Sequence, residues 1–146
     1  MSKITEQLTG VVTFEKVVEM ESLMKKMPQV EVPVRNYFSA GVYAREIRIP
    51  AGATVTGKIH KLANLNILSE GEMIVSTDDG MKRVKAPFTV VSPPGTKRIA
   101  HAITDCVWTT VHGTHVTDVD AIEVAFTADS EQDYLQFCQT QQIQGA

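Results

Sequence analysis

Nine short runs of residues that are typical of β-strands follow one another between residues 29 and 115, and they constrain the fold more than any other feature. Apolar and polar residues alternate in most of these runs, as expected for half-buried strands. Turn sequences such as PAGA, DDGM and PPGT separate them. The predicted strands are residues 30–34, 42–49, 54–60, 65–69, 73–77, 82–85, 88–92, 97–101 and 106–112. Because no helical segment lies between them, the pattern predicts an all-β barrel or sandwich.

Helical patterns flank this region on both sides. In residues 13–27 apolar residues recur at helical spacing, Thr13 is suited to cap the first turn, and Pro28 follows as a stop. A second helix is predicted to begin at Ser130, where Asp133 completes a capping-box pattern. We therefore expect one domain, with an N-terminal helical extension at 1–28, a barrel at 29–116, and a C-terminal helical segment and tail at 117–146.

Composition and charge exclude several classes of function. Apolar residues make up 43% of the chain, charged residues 21%, and the net charge is −3, as in ordinary globular proteins. The basic residues form no patch interleaved with aromatic residues, so nucleic-acid binding is not expected. No apolar window is long enough to cross a membrane and the N-terminus does not resemble a signal peptide, which predicts a cytoplasmic protein. Cys106 and Cys138 lack metal-site spacing and are expected to be buried thiols.

The stretch AGATVTGKIHKLANLNILSEG carries a spaced set of residues, namely Gly52, Lys58, His60, Asn64 and Gly71. These intervals resemble the first motif of the cupin superfamily, in which a glycine is followed by His-x-His, a glutamate and a turn glycine. Lys58 stands where that motif has its first histidine, and Asn64 stands where it has the glutamate. His60 keeps the second histidine position.

The stretch PPGTKR resembles the second cupin motif, with Arg98 at the position of its histidine and Ala102 at that of its asparagine. Together the motifs resemble a small single-domain cupin of the RmlC-like superfamily. The longer stretches GVYAREIRIPAGATVTGKIHK and TDVDAIE resemble cupin-like proteins of tailed bacteriophages and prophages, whose function is largely unassigned. The resemblance implies a jelly-roll-like double-stranded β-helix barrel with flanking helices. It also implies a homodimer or higher homo-oligomer, in the host cytoplasm if the protein is phage-encoded.

The departures from the motifs bear on the metal that cupins often hold. Two cations replace two neutral ligands, and the anionic ligand is lost, so a divalent metal would be repelled. We therefore expect neither a metal nor another cofactor. If a metal were bound, His60, His101 and His112 would be its candidate ligands.

The same replacements favour an anion. With the usual cupin orientation, Lys58 and Arg98 point inward, and such cations are costly to bury unless a phosphate or carboxylate neutralises them. The predicted ligand-binding residues of this anion site are Lys58, His60, Asn64, Arg98 and His112, and the expected ligand is a nucleotide or sugar phosphate. Alternatively, the two cations reach solvent or pair with acids such as Glu46.

Two further functions remain open from the sequence. His60 resembles in position the base of metal-free cupin epimerases that act on sugar nucleotides, and Tyr43 is a candidate acid for such an isomerase. Tyr43 also suits plain core packing. The other alternative is a structural or virion-associated module whose barrel is filled by its own side chains.

Overall fold

The structure, a computed structural model, describes residues 13–144. Within this range there are three helices, α1 (Phe14–Met24), α2 (Val119–Phe126) and α3 (Glu131–Gln144). The strands are β1 (Val34–Ser39), β2 (Val42–Ile49), β3 (Thr54–Thr56), β4 (Ile59–His60), β5 (Asn64–Glu70), β6 (Glu72–Thr77), β7 (Gly80–Lys85), β8 (Phe88–Ser92), β9 (Ile99–Ala102), β10 (Cys106–Gly113) and β11 (Thr127–Ala128). The first twelve residues of the predicted N-terminal extension and the last two of the tail lie outside the described residues. None of the helices in the described range is long and apolar enough to span a membrane.

Two antiparallel sheets form a barrel. The five-stranded sheet has the order β1-β2-β10-β5-β8, the four-stranded sheet has the order β3-β9-β6-β7, and β11 and β4 form a separate pair. Strands far apart in sequence are neighbours, as β2 and β10 are, so the two halves of the barrel wind around each other as a double-stranded β-helix. The predicted all-β barrel with flanking helices is confirmed.

The hydrophobic core fills one end of the barrel. Leu68 from the five-stranded sheet and Met73 and Val75 from the four-stranded sheet are almost fully buried there. Cys106 belongs to this cluster, as predicted for a buried thiol, whereas Cys138 on α3 is only half-buried.

Helix α1 packs on the four-stranded sheet through Val17 and Met20, which contact Ile99. Thr13 caps its first turn, as predicted. The helix ends at Met24, earlier than predicted, because the backbone N–H groups of Lys26 and Met27 bond three residues back rather than four and close tighter turns.

Most predicted strands differ from the observed ones by one or two residues at an end, and two differ more. The strand predicted at 30–34 lies instead at β1, where all six residues are exposed, so the sequence carries no alternation that would reveal it. The strand predicted at 54–60 is interrupted at Gly57 and Lys58, which separate β3 from β4.

Helix α2 and strand β11 are not among the predicted elements. The Asp118 carboxylate caps α2 by accepting hydrogen bonds from two backbone N–H groups of its first turn. After the helix, Thr127 pairs with His60 and Ala128 pairs with Ile59. This short pairing holds α2 next to β4 and therefore beside the stretch that carries the cupin-like spacing.

The outer face of the five-stranded sheet carries several exposed apolar side chains, among them Tyr37, Val42, Leu65 and Val91. Homo-oligomer formation stays a prediction.

Candidate functional site

A cavity of about 440 Å³ lies inside the barrel, and α2 forms part of its wall. The five predicted ligand-binding residues all line it: Lys58, His60, Asn64, Arg98 and His112. Tyr43, the candidate acid, lines it as well. The cupin-like spacing thus brings these side chains to one place, while ligand binding at them stays a prediction. A barrel filled by its own side chains would lack this space.

The register of the five-stranded sheet arranges its inward side chains in rows across β2, β10 and β5. The rows are Tyr43 and His112, then Arg45, Thr110 and Asn66, then Ile47, Trp108 and Leu68. The first two rows are polar and the third is apolar. We call these levels the polar end and the apolar end of the cavity. Helix α2 lies at the polar end, because the Phe126 ring stacks on His112 with ring centroids 5.1 Å apart.

A network of buried uncharged groups connects the polar end to the neighbouring strands. The Asn66 amide donates to Asn64 Oδ1 at 2.8 Å and to Ser92 Oγ at 2.7 Å, and it accepts from Thr110 Oγ1 at 2.9 Å. All four residues are buried. Since these groups bond one another, the network fixes the side chains around the cavity.

Arg98 approaches this network with its guanidinium. Nε and one terminal nitrogen donate to Ser92 Oγ at 3.0 and 2.8 Å, and the other terminal nitrogen donates to the Ser76 carbonyl at 2.6 Å. Both acceptor atoms are neutral. Burial lowers the pKa of Arg98, although an arginine still carries its charge at neutral pH.

Arg45 adds a second guanidinium to the lining. Within residues 13–144, no carboxylate oxygen lies within 4.0 Å of the side-chain nitrogens of Arg45 or Arg98. The cavity therefore has two cations that the described residues leave without an ion-pair partner.

His60 and His112 stack on each other, with ring centroids 5.4 Å apart. Burial, together with the nearby His112, Arg45 and Arg98 side chains, lowers the pKa of His60 to about 4. Burial also lowers the pKa of His112. Nδ1 of His60 is buried and has no hydrogen-bond partner among the described residues. His60 is therefore a neutral imidazole at neutral pH, and no carboxylate in the described range orients it.

Lys58 has a different environment, because its ammonium forms ion pairs with Glu123 of α2 and, at 3.2 Å, with Asp129. The hydrogen bond to Glu123 is the main cause that raises the pKa of Lys58. Lys58 thus pairs with acids, as one sequence-based alternative expects, but the partner is not Glu46, whose carboxylate lies 3.8 Å from Arg48. Its charge is balanced before any ligand arrives.

Tyr43 donates its hydroxyl proton to Asn36 Oδ1 at 2.5 Å, and burial raises its pKa. It is a neutral hydrogen-bond donor already engaged with the protein, so packing and hydrogen bonding account for its position.

The donor set does not fit a divalent metal. His101, the third candidate ligand, lies outside the cavity lining, and its Nδ1 is 2.7 Å from Thr54 Oγ1. In residues 13–144, no group of three or more His, Cys, Asp and Glu side chains is placed to hold a metal ion. The two histidines that do meet have cationic arginines beside them rather than a carboxylate.

Sequence reasoning missed several lining residues. Arg45 and Asn66 carried a usable signal, since each alternates with inward residues along its strand. No local signal pointed to Glu123, because its ion pair depends on where α2 packs.

Comparison with known proteins identifies the fold. The sequence matches no protein-family model, and no curated protein sequence is significantly similar to it. Among solved structures, KdgF from Halomonas sp. superposes with a TM-score of 0.50 and 15% identity, over 60% of this chain and 86% of that one. An RmlC-like cupin family protein with a double-stranded β-helix fold from Methanocaldococcus jannaschii gives a TM-score of 0.48 and 19% identity, over 58% and 82% of the two chains.

A cupin superfamily protein from Desulfitobacterium hafniense gives a TM-score of 0.49 and 12% identity, over 60% of this chain and 81% of that one. At such identities the likeness concerns the fold alone. With the sheet order described above, the fold is the double-stranded β-helix of the cupins.

Proposed function

We propose that this chain binds a small organic anion in the barrel cavity, without a metal. The observation that supports this most directly is the state of Arg98. Its guanidinium lines the cavity and is fixed by three hydrogen bonds to neutral acceptors. Asp78 attracts this cation from a distance, but no described carboxylate lies within 4.0 Å of it. A partly desolvated cation without a contacting counter-ion favours the entry of a phosphate or carboxylate, which forms charge-assisted hydrogen bonds with it.

The second cation and the neutral polar groups support the same proposal. Arg45 lies one row from His112 on the inward face, and Asn64 faces the cavity beside them. Nucleotides and sugar phosphates, the classes suggested by the sequence, are the first ligands to test. If the resemblance to phage proteins holds, sequestration of a host signal molecule is a role that such binding would serve.

An isomerase is less well supported than a binding protein. A general base works best when its pKa lies near the operating pH, and the pKa of His60 is about 4. In addition, no described carboxylate bonds to its Nδ1.

Thermal shift measurements on the full chain test the proposal. Inorganic phosphate, nucleotides, sugar phosphates and simple carboxylates are added one at a time, each up to a concentration well above its expected Kd. A ligand present at 100 times its Kd stabilises the folded state by about 2.7 kcal/mol. For a chain of this size, that corresponds to a rise in Tm of roughly 5 to 10 °C.

Two arginines on one strand supply a matched control. Arg45 faces the cavity, whereas Arg48 is on the opposite face of β2 beside Glu46. Arg45→Gln is expected to reduce the ligand-induced shift, and Arg48→Gln is expected to leave it unchanged. A panel in which no anion raises Tm would refute the proposal and favour the structural alternative.

A further inference from the structure

We infer that the ligand of this cavity is an amphipathic anion, with one acidic group on an apolar body, rather than a molecule rich in hydroxyl groups. This rests on the proposed function and narrows the class of anion. The inference comes from the separation of polar and apolar side chains along the barrel axis.

The apolar end is apolar on both sheets. Ile47 and Trp108 form its row on the five-stranded sheet. On the four-stranded sheet, Val55 and Val75 both pair with Ala100, so these three side chains share one face. All five residues line the cavity and belong to, or pack against, one hydrophobic cluster. At this level the indole N–H of Trp108 is the one side-chain hydrogen-bonding group that a ligand meets among the five.

The polar end offers charge more than free hydrogen-bonding capacity. Asn64, Asn66, Ser92 and Thr110 already bond within one network. The ring of His112 stacks with Phe126 and His60, so its faces are covered by protein rather than open to a nucleobase. What remains for a ligand is the charge of Arg98 and of the more exposed Arg45, together with the unpartnered Nδ1 of His60, and one phosphate or carboxylate group suits this set.

Desolvation then decides between ligand bodies. A hydroxyl group moved from water to the apolar end loses hydrogen bonds, and the single indole N–H of Trp108 replaces one of them at most. A methylene group moved to the same place gains affinity, by about fourfold for each one buried. At the apolar end, a sugar ring would therefore lower the binding affinity, whereas an alkyl or branched apolar group would raise it.

Fluorescence titration provides the test, because Trp108 is the only tryptophan of the chain and lines the cavity. The full chain is titrated with straight-chain carboxylates from butanoate to decanoate, and separately with inorganic phosphate, glucose 6-phosphate and adenosine monophosphate. Affinity is expected to rise about fourfold per methylene until the cavity is full. The sugar phosphate and the nucleotide are expected to bind no tighter than phosphate.

Variants that place a hydroxyl at the apolar end localise the effect. Val55→Thr places a hydroxyl at the apolar end and is expected to weaken octanoate binding about fivefold or more, with little change for phosphate. Ile47→Thr serves as a second variant if the first fails to fold. Val91→Thr is the control, because Val91 is 64% exposed on the outer face of the same barrel.

The possible results separate this inference from the proposal on which it rests. Equal affinity along the carboxylate series, or tighter binding of the sugar phosphate or nucleotide than of any carboxylate, overturns the amphipathic ligand and leaves anion binding intact. Failure of every anion to bind overturns both.

Discussion

Lys58 at the rim of the cavity and Arg98 in its interior make an informative pair. Both occupy positions where the resembled cupin motifs have a histidine, yet their surroundings are opposite. The Lys58 side chain is 48% exposed and pairs with Glu123 and Asp129. Arg98 is held by the neutral oxygens of Ser92 and Ser76. Lys58 holds α2 against the barrel by its ion pairs, whereas Arg98 leaves positive charge inside the cavity.

The contrast shows that a replaced ligand position does not by itself indicate a ligand contact. Lys58 keeps the motif spacing, but its charge is used to tether α2. Arg98 keeps the spacing and supplies a charge that Asp78 offsets only from beyond ion-pair distance. The proposed anion site therefore centres on Arg98 and Arg45 rather than on the pair predicted from the motifs.

The largest expected effect is a loss of folding stability at low pH, caused by His60 in the interior. Its pKa of about 4 in the folded state lies below the ordinary value of 6.5. As pH falls from 6.5 towards 4, the unfolded chain takes up this proton and the folded chain does not, so stability is lost over that interval. The loss from His60 alone is at most about 3 kcal/mol at pH 4.

Chemical denaturation between pH 7 and pH 4 measures this effect. His60→Phe keeps a ring against His112 but removes the titrating group, so its stability is expected to fall less over the interval. His115→Gln, at an exposed position, is the control. A His60→Phe profile that overlays the unmodified protein would show that the interior tolerates the charge and would erase the contrast with the rim.

The next effect is on ligand affinity, which is expected to depend strongly on Arg98 and weakly on Lys58. Arg98→Met is expected to weaken anion binding about 10- to 100-fold, since hydrogen bonds to charged groups contribute about 1.5 to 3 kcal/mol. Lys58→Met is expected to change it by less than about threefold, because the charge is already balanced by acids at the rim. Arg98→Lys, which keeps the charge but loses the planar fork, is expected to fall between Arg98→Met and the unmodified protein. Titration monitored by Trp108 fluorescence provides the measurement, and equal losses for the two methionine variants would contradict the division of roles.

The smallest effect is the coupling between Lys58 and Glu123. Both side chains are about half exposed, at 48% and 47%. A double-mutant cycle with Lys58→Met and Glu123→Gln is therefore expected to give a coupling energy of only about 0.2 to 1 kcal/mol in denaturant unfolding. Raising the salt concentration is expected to reduce it further. A coupling of several kcal/mol would mean that the rim pair behaves as a buried one.

Much of the barrel could be predicted because its inward and outward faces alternate. β2 and β8 begin and end where the sequence predicts. The bounds of the edge strand β1 were not predicted, because none of its residues is buried and its sequence therefore lacks the alternation of apolar and polar residues. Helix α2 has only eight residues and takes its place from contacts such as the pairing of Thr127 with His60. Short helices depend on such tertiary contacts more than on local propensity.

The site could be predicted in part for a related reason. The motif spacing brings Lys58, His60, Asn64 and Arg98 to one cavity. In a barrel, the number of residues between turns determines which side chains of neighbouring strands lie at the same level and face inward. It carries no information on which acids approach from elsewhere. The partners of Lys58 come from α2 and the segment after it. Whether the Lys58 charge is available to a ligand therefore follows only from the packed structure.

The alternation along β2 has a consequence for how the cavity can change. Tyr43, Arg45 and Ile47 face inward, while Glu46 and Arg48 face outward. A slip of one residue in a strand exchanges its two faces. If loss of one residue from the turn between β1 and β2 shifts β2 by one position against β10, Glu46 and Arg48 both turn inward in place of Arg45 and Ile47. The charge that β2 contributes to the cavity is thus a matter of odd and even positions, and a deletion of one codon would replace a single cation by an acid and a base with no net charge.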